Sequence, residues 1–246
     1  MKDNAPLSNY LAFDIEIAKI LPGDFSQWRN DRPLGISCAA TLRDGQEPEL
    51  WYSRSEDGAF AKNMSQEDLV KLVKFLMAAV EEGMQILTWN GLGFDFDVLA
   101  EESGCWKECQ SLAKNHTDLM FHIFCEKGYP IGLDKAAKGM RLAGKTEGMS
   151  GELAPILWQQ GQYEKVLEYV AQDVRTTLEV AKAGLQKRRI TWYSNRGKLQ
   201  ELGLPRGWLA VDQALRMPLP DNSWMSKPLN REDFLRWTTR PDANIR

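Results

Sequence analysis

The sequence predicts an α/β fold in which a mixed central sheet is flanked by helices. Three apolar segments near the N-terminus have the length and composition of strands, and turn residues separate the second from the third. Segments with a helical spacing of apolar residues follow. With 246 residues, 43% of them hydrophobic and 26% charged, the chain can form one large globular domain or one domain with an appendage.

Each predicted element rests on a local pattern. Strands are expected at residues 10–17, 35–41, 49–53 and 85–89, and helices at residues 66–82, 95–102, 116–125, 133–140 and 163–184. Ser65 and Asp68 resemble a capping box at the start of the first helix, and Gly83 ends that helix. The segment Arg43-Asp44-Gly45-Gln46 supplies the turn between the second and third strands.

Two carboxylates lie in the first predicted strand. Asp14 and Glu16 are two residues apart in a mostly apolar segment, and alternation along a strand sends both side chains to the same face. Acidic residues are rarely buried without a partner, so a pair of this kind needs a neutralising cation. Oxygen-only ligands suit Mg²⁺ or Mn²⁺. The pattern therefore predicts a metal-dependent enzyme of phosphoryl transfer.

Two further acidic motifs follow in a fixed order. They are Asn90-Gly91-Leu92-Gly93-Phe94-Asp95 in the middle of the chain and Tyr169-Val170-Ala171-Gln172-Asp173 in the last predicted helix. In that helix Tyr169 and Asp173 are four residues apart, so both side chains project from one face. A single Asp-x-Glu recurs by chance in any acidic protein, whereas three motifs in order indicate one site built from distant segments.

The three motifs together resemble those of the DEDD superfamily of 3′–5′ exonucleases. The Tyr of the third motif, where the sister group has His, resembles the DEDDy branch, and the proofreading domains of family B DNA polymerases are similar. The resemblance covers approximately residues 11–183. It implies a ribonuclease H-like fold, which agrees with the predicted order of three antiparallel strands followed by a further strand and helices.

The resemblance also implies a role for each motif residue. Asp14 would bridge two divalent ions, Mg²⁺ or Mn²⁺, while Glu16 and Asp173 complete the first ion's site and Asp95 supports the second ion through water. The hydroxyl of Tyr169 would orient the attacking water rather than act as a strong base, because a free tyrosine has a pKa near 10. Without the other motifs, Tyr169 would be interpreted as a core aromatic residue at helical spacing.

The expected activity is removal of nucleoside 5′-monophosphates from the 3′ end of single-stranded nucleic acid, with DNA favoured over RNA. Asn90 and Phe94 are candidate substrate-binding residues, although Asn90 suits the strand-to-helix turn at least as well. Two alternatives stay open at this point. The chain could be an exoribonuclease that trims RNA, or a catalytically inactive module that binds nucleic acid.

The C-terminal part of the chain differs in charge from the rest. Residues 187–246 contain 12 Lys and Arg against 6 Asp and Glu, while the whole chain has a net charge of −3. We therefore predict an exonuclease domain at residues 1–185 and a basic, Trp-rich, mainly helical or irregular extension at residues 186–246, packed on or beside the core. Lys187, Arg188 and Arg189 are candidates for holding the substrate backbone.

Four tryptophans accompany these basic residues in the extension: Trp192, Trp208, Trp224 and Trp237. Exposed aromatic side chains among cations would suit base stacking with a single strand. The alternative is that the tryptophans anchor the extension to the core, since Trp is highly buried on average. The basic side chains would then be solvated or would form an oligomer contact. The oligomeric state stays open.

The remaining signals exclude several classes of protein. No apolar stretch is long enough to span a membrane, the first six residues lack a signal-peptide core, and the four cysteines have no zinc spacing, so a cytoplasmic protein with reduced thiols is expected. Asp97 is interpreted as stabilising a helix N-terminus, and Asp118 and Asp134 as helix caps. The long loop at residues 22–33 is expected to be able to border the active site.

Overall fold

The computed structural model describes residues 9–23, 25–144 and 148–240. Its strands are β1 (Tyr10–Ile17), β2 (Ile36–Arg43), β3 (Glu49–Trp51), β4 (Gln85–Thr88), β5 (Thr117–Asp118), β6 (Arg189–Tyr193) and β7 (Leu199–Gly203). Its α-helices are α1 (Gln66–Glu81), α2 (Asp95–Ser103), α3 (Trp106–Asn115), α4 (Leu119–Lys127), α5 (Leu133–Met140), α6 (Ala154–Gln159), α7 (Tyr163–Lys187), α8 (Val211–Ala214) and α9 (Glu232–Leu235). Two 3-10 helices span Phe25–Asp31 and Arg236–Thr239.

A five-stranded mixed sheet forms the centre of the fold. Its strand order is β3-β2-β1-β4-β5, with β1 antiparallel to β2, β2 antiparallel to β3, and β4 parallel to both of its neighbours. The strand that carries the first motif is therefore the central one. The predicted α/β fold with a mixed central sheet and flanking helices is confirmed.

Alternation along β1 separates two hydrophobic cores. Leu11, Phe13 and Ile15 pack with the buried residues of α1, α2 and α3 on one face of the sheet. Ala12 faces the other side and packs with the buried residues of α5, α6 and α7. The even-numbered residues of β1 therefore face α7, and this places the two acidic side chains of the strand on the α7 side.

Local signals in the sequence match most element boundaries. Ser65 caps α1 by accepting the Asp68 backbone N–H, and Gly83 follows the helix with a positive φ of 85°. The sequence analysis did not include α3 and α6. Helix α6 has only six residues, too few turns for a clear apolar period, whereas α3 has ten residues and was missed although it buries Cys109, Leu112 and Ala113 at helical spacing.

The extension after residue 185 contains the two short helices α8 and α9 and irregular segments, together with an antiparallel hairpin of β6 and β7. The hairpin was not predicted. Its first strand does alternate, with Ile190 and Trp192 buried, but the adjacent run of charged residues obscures the pattern. The domain division at residue 185 stays a prediction.

Buried side chains fasten the extension to the sheet domain. Trp192, Trp208 and Trp237 are buried, and the Trp237 indole N–H donates to the Leu92 carbonyl at 2.8 Å. The buried Arg231 guanidinium donates to four backbone carbonyls, those of Cys125, Leu215, Met217 and Pro218, at 2.7–3.1 Å. Among the described helices, none has both the length and the apolar character needed to cross a membrane.

Replacing Arg231 by Ala should destabilise the fold. The change leaves four buried or partly buried carbonyls without their donor, and an unsatisfied buried polar group costs about 1–3 kcal/mol. We expect the free energy of unfolding in urea to fall by about 2–4 kcal/mol. Arg236→Ala removes a guanidinium whose side chain is 78% exposed and serves as the control. Equal stability of both variants would contradict this account of the extension.

Candidate active site

Three carboxylates converge between β1 and α7. Asp14, Glu16 and Asp173 each offer an oxygen atom, and these atoms lie within 4.8 Å of one another. Glu16 and Asp173 are buried, and Asp14 is half-buried. An oxygen-only donor set of this kind, held largely away from water, fits a divalent cation such as Mg²⁺ or Mn²⁺.

The convergence follows from two local periodicities. Asp14 and Glu16 share a face of β1 because they are two residues apart, and α7 packs across that same face. One turn of α7 separates Tyr169 from Asp173, and both are buried on the side of the helix that meets the sheet. The structure therefore brings the first and third motifs together, as the sequence analysis expects.

Tyr169 is a neutral phenol beside these acids. Burial raises its pKa well above the ordinary value, and the charges of Glu16, Asp173 and Asp14, together with a hydrogen bond to Asp173, raise the pKa further. A tyrosine that holds its proton so firmly cannot act as a general base at neutral pH. It can donate a hydrogen bond or orient a polar ligand at the cluster.

Asp95 contacts the backbone of β1 at the first motif. It is the first residue of α2, it is buried, and its Oδ1 accepts the Ile15 backbone N–H at 3.2 Å. This N–H is available because β4 pairs with β1 only as far as Ala12. Asp95 is not one of the three carboxylates within 4.8 Å, but its charge interacts with that of Asp173.

The pKa of Asp95 is raised to about 7. Burial is the largest cause, and the nearby charges of Asp118 and Asp173 add to the shift, while the backbone hydrogen bond from Ile15 opposes it. The protein without metal therefore keeps a substantial fraction of Asp95 protonated near neutral pH. A cation beside this carboxylate would favour its ionised form.

Asp118 holds the turn of the second motif. Its carboxylate accepts the backbone N–H groups of Asn90 and Leu92, each at 3.0 Å, and that of Phe121 at 2.9 Å as the N-cap of α4. The predicted capping role of Asp118 is thus confirmed, and the contacts with the turn are additional. Burial raises the pKa of Asp118 to about 6, against the lowering effect of these backbone donors.

Asn90 and Gly93 shape the same turn. Asn90 has a φ of 78°, in the left-handed region that Asn tolerates better than most residues, and its carbonyl accepts the backbone N–H groups of Gly93 and Phe94. A Cβ atom at Gly93 would lie 2.5 Å from Asn90 Oδ1 and 2.8 Å from the Phe234 ring. Asn90 therefore has the turn role that the sequence suggests, and it also lines the cleft described next.

A cleft of about 680 Å³ opens over Asp14 and Asp173. Residues 22–33 border it, as expected, through Phe25, Trp28 and Arg29. On its other sides it is lined by the segment at residues 130–134 and by Leu229, Asp233 and Phe234 of the extension. The extension therefore supplies part of the wall of the site.

Phe94 supports the aromatic side of the cleft. Its ring packs at 5.3 Å from Phe25 and at 4.9 Å from Trp28, measured between ring centroids. Arg29 stacks on Trp28 and donates to the Gly93 carbonyl at 2.9 Å. The sequence analysis missed Trp28 and Arg29. The signal that could have found them is a Trp-Arg pair inside the loop after the first motif.

Two other acids are engaged elsewhere. Asp97 lies in the first turn of α2, where a helix-stabilising role is expected, and its buried carboxylate pairs with Arg32 at 2.5 Å and with Arg29 at 3.3 Å. The capping role predicted for Asp134 is wrong. Helix α5 begins at Leu133, as predicted, so its N-cap is Gly132 and Asp134 lies inside the first turn. The Asp134 carboxylate instead pairs with Lys138 at 2.6 Å.

Lys187, Arg188 and Arg189, called the basic triad below, lie at the C-terminal end of α7 and directly after it. Lys187 is fourteen residues after Asp173, about 21 Å along the axis at 1.5 Å per residue. Its Nζ donates to the Met140 carbonyl, Arg188 forms the left-handed C-cap of the helix, and Arg189 pairs with Glu201. In the part of the chain that the structure describes, none of the three lines the cleft. Their contact with the substrate backbone stays a prediction.

The fold and the site define a class of protein. A mixed sheet with an acidic central strand, covered by helices on both faces, has the architecture of the ribonuclease H-like proteins. The model of the RNase_H superfamily matches residues 50–184, more than half of the 246 residues, and the chain belongs to this superfamily. The nucleases of this superfamily use divalent metals. The matched region contains the second and third motifs but begins after β1.

A solved structure gives the same result for the fold. The family B DNA polymerase from the hyperthermophilic archaeon Pyrobaculum calidifontis superposes with a TM-score of 0.52 at 19% sequence identity, over 75% of this chain. At that identity the match shows the fold alone. The chain spans 25% of the length of the polymerase. No curated protein sequence matches the chain.

Replacing Asp95 by Asn should stabilise the metal-free protein at alkaline pH. The native pKa lies above the ordinary 3.8, so the folded state binds more protons and Asp95 lowers stability as pH rises from about 4 to about 7. Asn cannot ionise and still offers an oxygen to the Ile15 N–H. In EDTA, we expect Asp95→Asn and the parent protein to have the same free energy of unfolding at pH 4. At pH 8 we expect that of the variant to be higher by about 2–4 kcal/mol.

Urea unfolding at both pH values measures this difference. Asp221→Asn, at an exposed position of the extension, is the matched control and should show no gain at pH 8. A gain for Asp95→Asn that is the same at pH 4 and pH 8 would show that ionisation of the carboxylate is not its cause.

Proposed function

We propose that the protein is a two-metal-ion 3′–5′ exonuclease that releases nucleoside 5′-monophosphates from single-stranded nucleic acid, with DNA favoured. The observation that carries the proposal is the convergence of Asp14, Glu16 and Asp173 within 4.8 Å at an open cleft, with Tyr169 beside them. The superfamily supports nuclease chemistry, and the DEDDy-type motifs support the direction and the type of cleavage.

Each acid has a position suited to its proposed role. Asp14 is the least buried of the three clustered acids and would bridge both ions, with Glu16 and Asp173 completing the first site. Asp95, tied by one oxygen to the Ile15 N–H, would support the second site through water. Divalent ions held there would lower the pKa of the attacking water and stabilise charge on the departing 3′ oxygen. Tyr169 would orient that water by hydrogen bonding.

The cleft supports a single-stranded substrate. Its volume of about 680 Å³ lies in the range of small-ligand sites and suits a terminal nucleotide. Phe25 offers aromatic surface for an unstacked base and is supported by Phe94, which also packs against the buried Trp28, and Arg29 brings a positive charge to the rim. Asn90 and Phe94 would position the substrate, Asn90 from the wall and Phe94 by supporting the two aromatic rings.

We also propose a reducing compartment, such as the cytoplasm, as the setting of this activity. The four cysteines, Cys38, Cys105, Cys109 and Cys125, are free thiols in the structure. Reduced, partly buried thiols are typical of cytosolic proteins. The pKa of the Cys38 thiol is raised well above its usual range by burial and by the charge of Glu16, so it is not reactive.

Activity should require Mg²⁺ or Mn²⁺ and should be lost in Asp14→Ala. The substitution removes the carboxylate that would serve both ions, so we expect a loss of at least about 10³-fold in the rate of mononucleotide release. The measurement uses matched end-labelled DNA and RNA oligonucleotides with added metal or with EDTA. The variant should remain folded by circular dichroism, since removal of one of three repelling charges does not weaken the fold.

Asp212→Asn, on the surface helix α8, is the control for loss of a carboxylate and should keep the parental rate. Full hydrolysis by the parent in EDTA, or by Asp14→Ala in Mg²⁺, would rule out this mechanism. Faster digestion of RNA than DNA would instead favour the exoribonuclease. A folded, metal-supplied parent without hydrolysis would favour a binding module.

Cleavage should begin at the 3′ end and proceed one nucleotide at a time. The resemblance of the three motifs to those of 3′–5′ exonucleases supports this polarity, so a 5′-labelled single strand should shorten as a ladder. Gel analysis of a time course measures this directly. Immediate release of labelled mononucleotide would show the opposite polarity, and cutting of a closed circular single strand would show endonuclease activity.

A further inference from the structure

A second groove adjoins the active-site cleft. Its volume is about 600 Å³, and it shares the segment Pro130, Ile131 and Gly132 with the cleft. Its far side is formed by the β6–β7 hairpin and by Trp224 of the extension. A chain lying in the cleft can therefore pass over the shared segment and enter this groove without leaving the protein surface.

Exposed aromatic rings line the groove. Trp224 is 68% exposed and Tyr193 is 45% exposed, although large aromatic side chains are usually buried. Tyr129 packs edge-on against Trp224 at 6.1 Å between ring centroids and holds one side of the indole. The three other tryptophans of the extension are buried and anchor it, so Trp224 is the one placed to stack on a base.

The charge of the groove differs from that of the cleft. Lys135 and Arg196 line the groove and are exposed, and among its described lining residues there is no Asp or Glu. The cleft, by contrast, is lined by four aspartates, Asp14, Asp134, Asp173 and Asp233. The cleft would need bound cations to attract phosphates, whereas the groove would attract them directly.

The hairpin is held firmly in place beside α5. A Cβ atom at Gly139 would lie 2.3 Å from the Thr191 carbonyl oxygen and 2.4 Å from Trp192 Cα, so only glycine allows β6 to approach so closely. The Thr191 hydroxyl donates to the Gly139 carbonyl at 2.7 Å, and Trp192 is buried. The groove is thus a preformed surface rather than a loose tail.

We propose that this groove binds the nucleotides on the 5′ side of the scissile bond when the 3′ end of a single DNA strand occupies the cleft. The inference rests on the proposed exonuclease function and adds a second contact region to it. Trp224 stacks on a base, Tyr193 extends the aromatic surface, and Lys135 and Arg196 contact the phosphates. Short strands that fill only the cleft do not reach these residues.

Fluorescence anisotropy with labelled oligothymidylates that carry non-hydrolysable linkages tests the proposal in buffer containing Mg²⁺, so that the cleft can hold the strand end without cleaving it. Trp224→Ala should weaken binding of dT12 by about 5- to 150-fold, because stacking on one aromatic ring contributes about 1–3 kcal/mol per base. Binding of dT3 should change by less than about twofold. Lys135→Ala with Arg196→Ala should weaken dT12 binding and make the slope of log affinity against log salt shallower by about 1.4.

Lys74→Ala with Arg216→Ala removes two exposed charges outside the groove and is the matched control, expected to leave dT12 binding and its salt slope unchanged. Trp224→Phe should restore most of the affinity that Trp224→Ala loses. Circular dichroism confirms that each variant is folded.

If the folded Trp224→Ala and Lys135→Ala/Arg196→Ala variants bind dT12 as tightly as the parent does, the groove is not a binding site for the strand. The proposed function would still stand if the parent digests DNA from the 3′ end. Equal losses for dT3 and dT12 would also overturn the groove proposal, since the groove would then not lie on the 5′ side. A parent that neither binds dT12 nor hydrolyses its unmodified form with Mg²⁺ would overturn the proposed function as well.

Discussion

Mutual repulsion among Asp14, Glu16 and Asp173 is the constraint that the surrounding structure has to overcome. Two unit charges at about 4–5 Å repel each other by about 3–4 kcal/mol at an effective dielectric constant near 20. The protein holds the three oxygens within 4.8 Å by placing two acids on the central strand and the third on a 25-residue helix packed across it. Hydrophobic burial on both faces of β1 provides the opposing stabilisation. A bound cation would remove the repulsion, so the fold and metal binding are coupled.

A second group of acids, Asp95 and Asp118, performs a different task near the first. Both are buried and use backbone N–H donors, from Ile15 for Asp95 and from Asn90 and Leu92 for Asp118. These bonds connect β1, the turn after β4 and the start of α4 in one network. Burial raises the pKa of both carboxyls, and the backbone donors of this network oppose that shift by favouring the ionised forms.

The extension completes the site instead of standing apart from it. Trp237 donates to the Leu92 carbonyl in the second motif, and Phe234 packs against Phe121 and Phe124 while lining the cleft. The region that matches the superfamily, residues 50–184, contains neither β1 nor this wall. The matched region is therefore completed by β1 and β2 before it and by the extension after it, and the extension also supplies the far side of the proposed groove.

Periodicity within single elements allowed the sequence to determine much of this protein. Alternation placed Asp14 and Glu16 on one strand face, helical spacing placed Tyr169 with Asp173, and cap and glycine signals at Ser65 and Gly83 set the ends of α1. Contacts between distant segments were decided only by the tertiary structure. The sequence could not show that one extension tryptophan, Trp224, is exposed while three are buried, because burial depends on which surfaces meet. For the same reason, only the tertiary structure shows that the 25-residue helix α7 separates the basic triad, Lys187, Arg188 and Arg189, from the cleft. It also shows that the β6–β7 hairpin packs against α5 at Gly139.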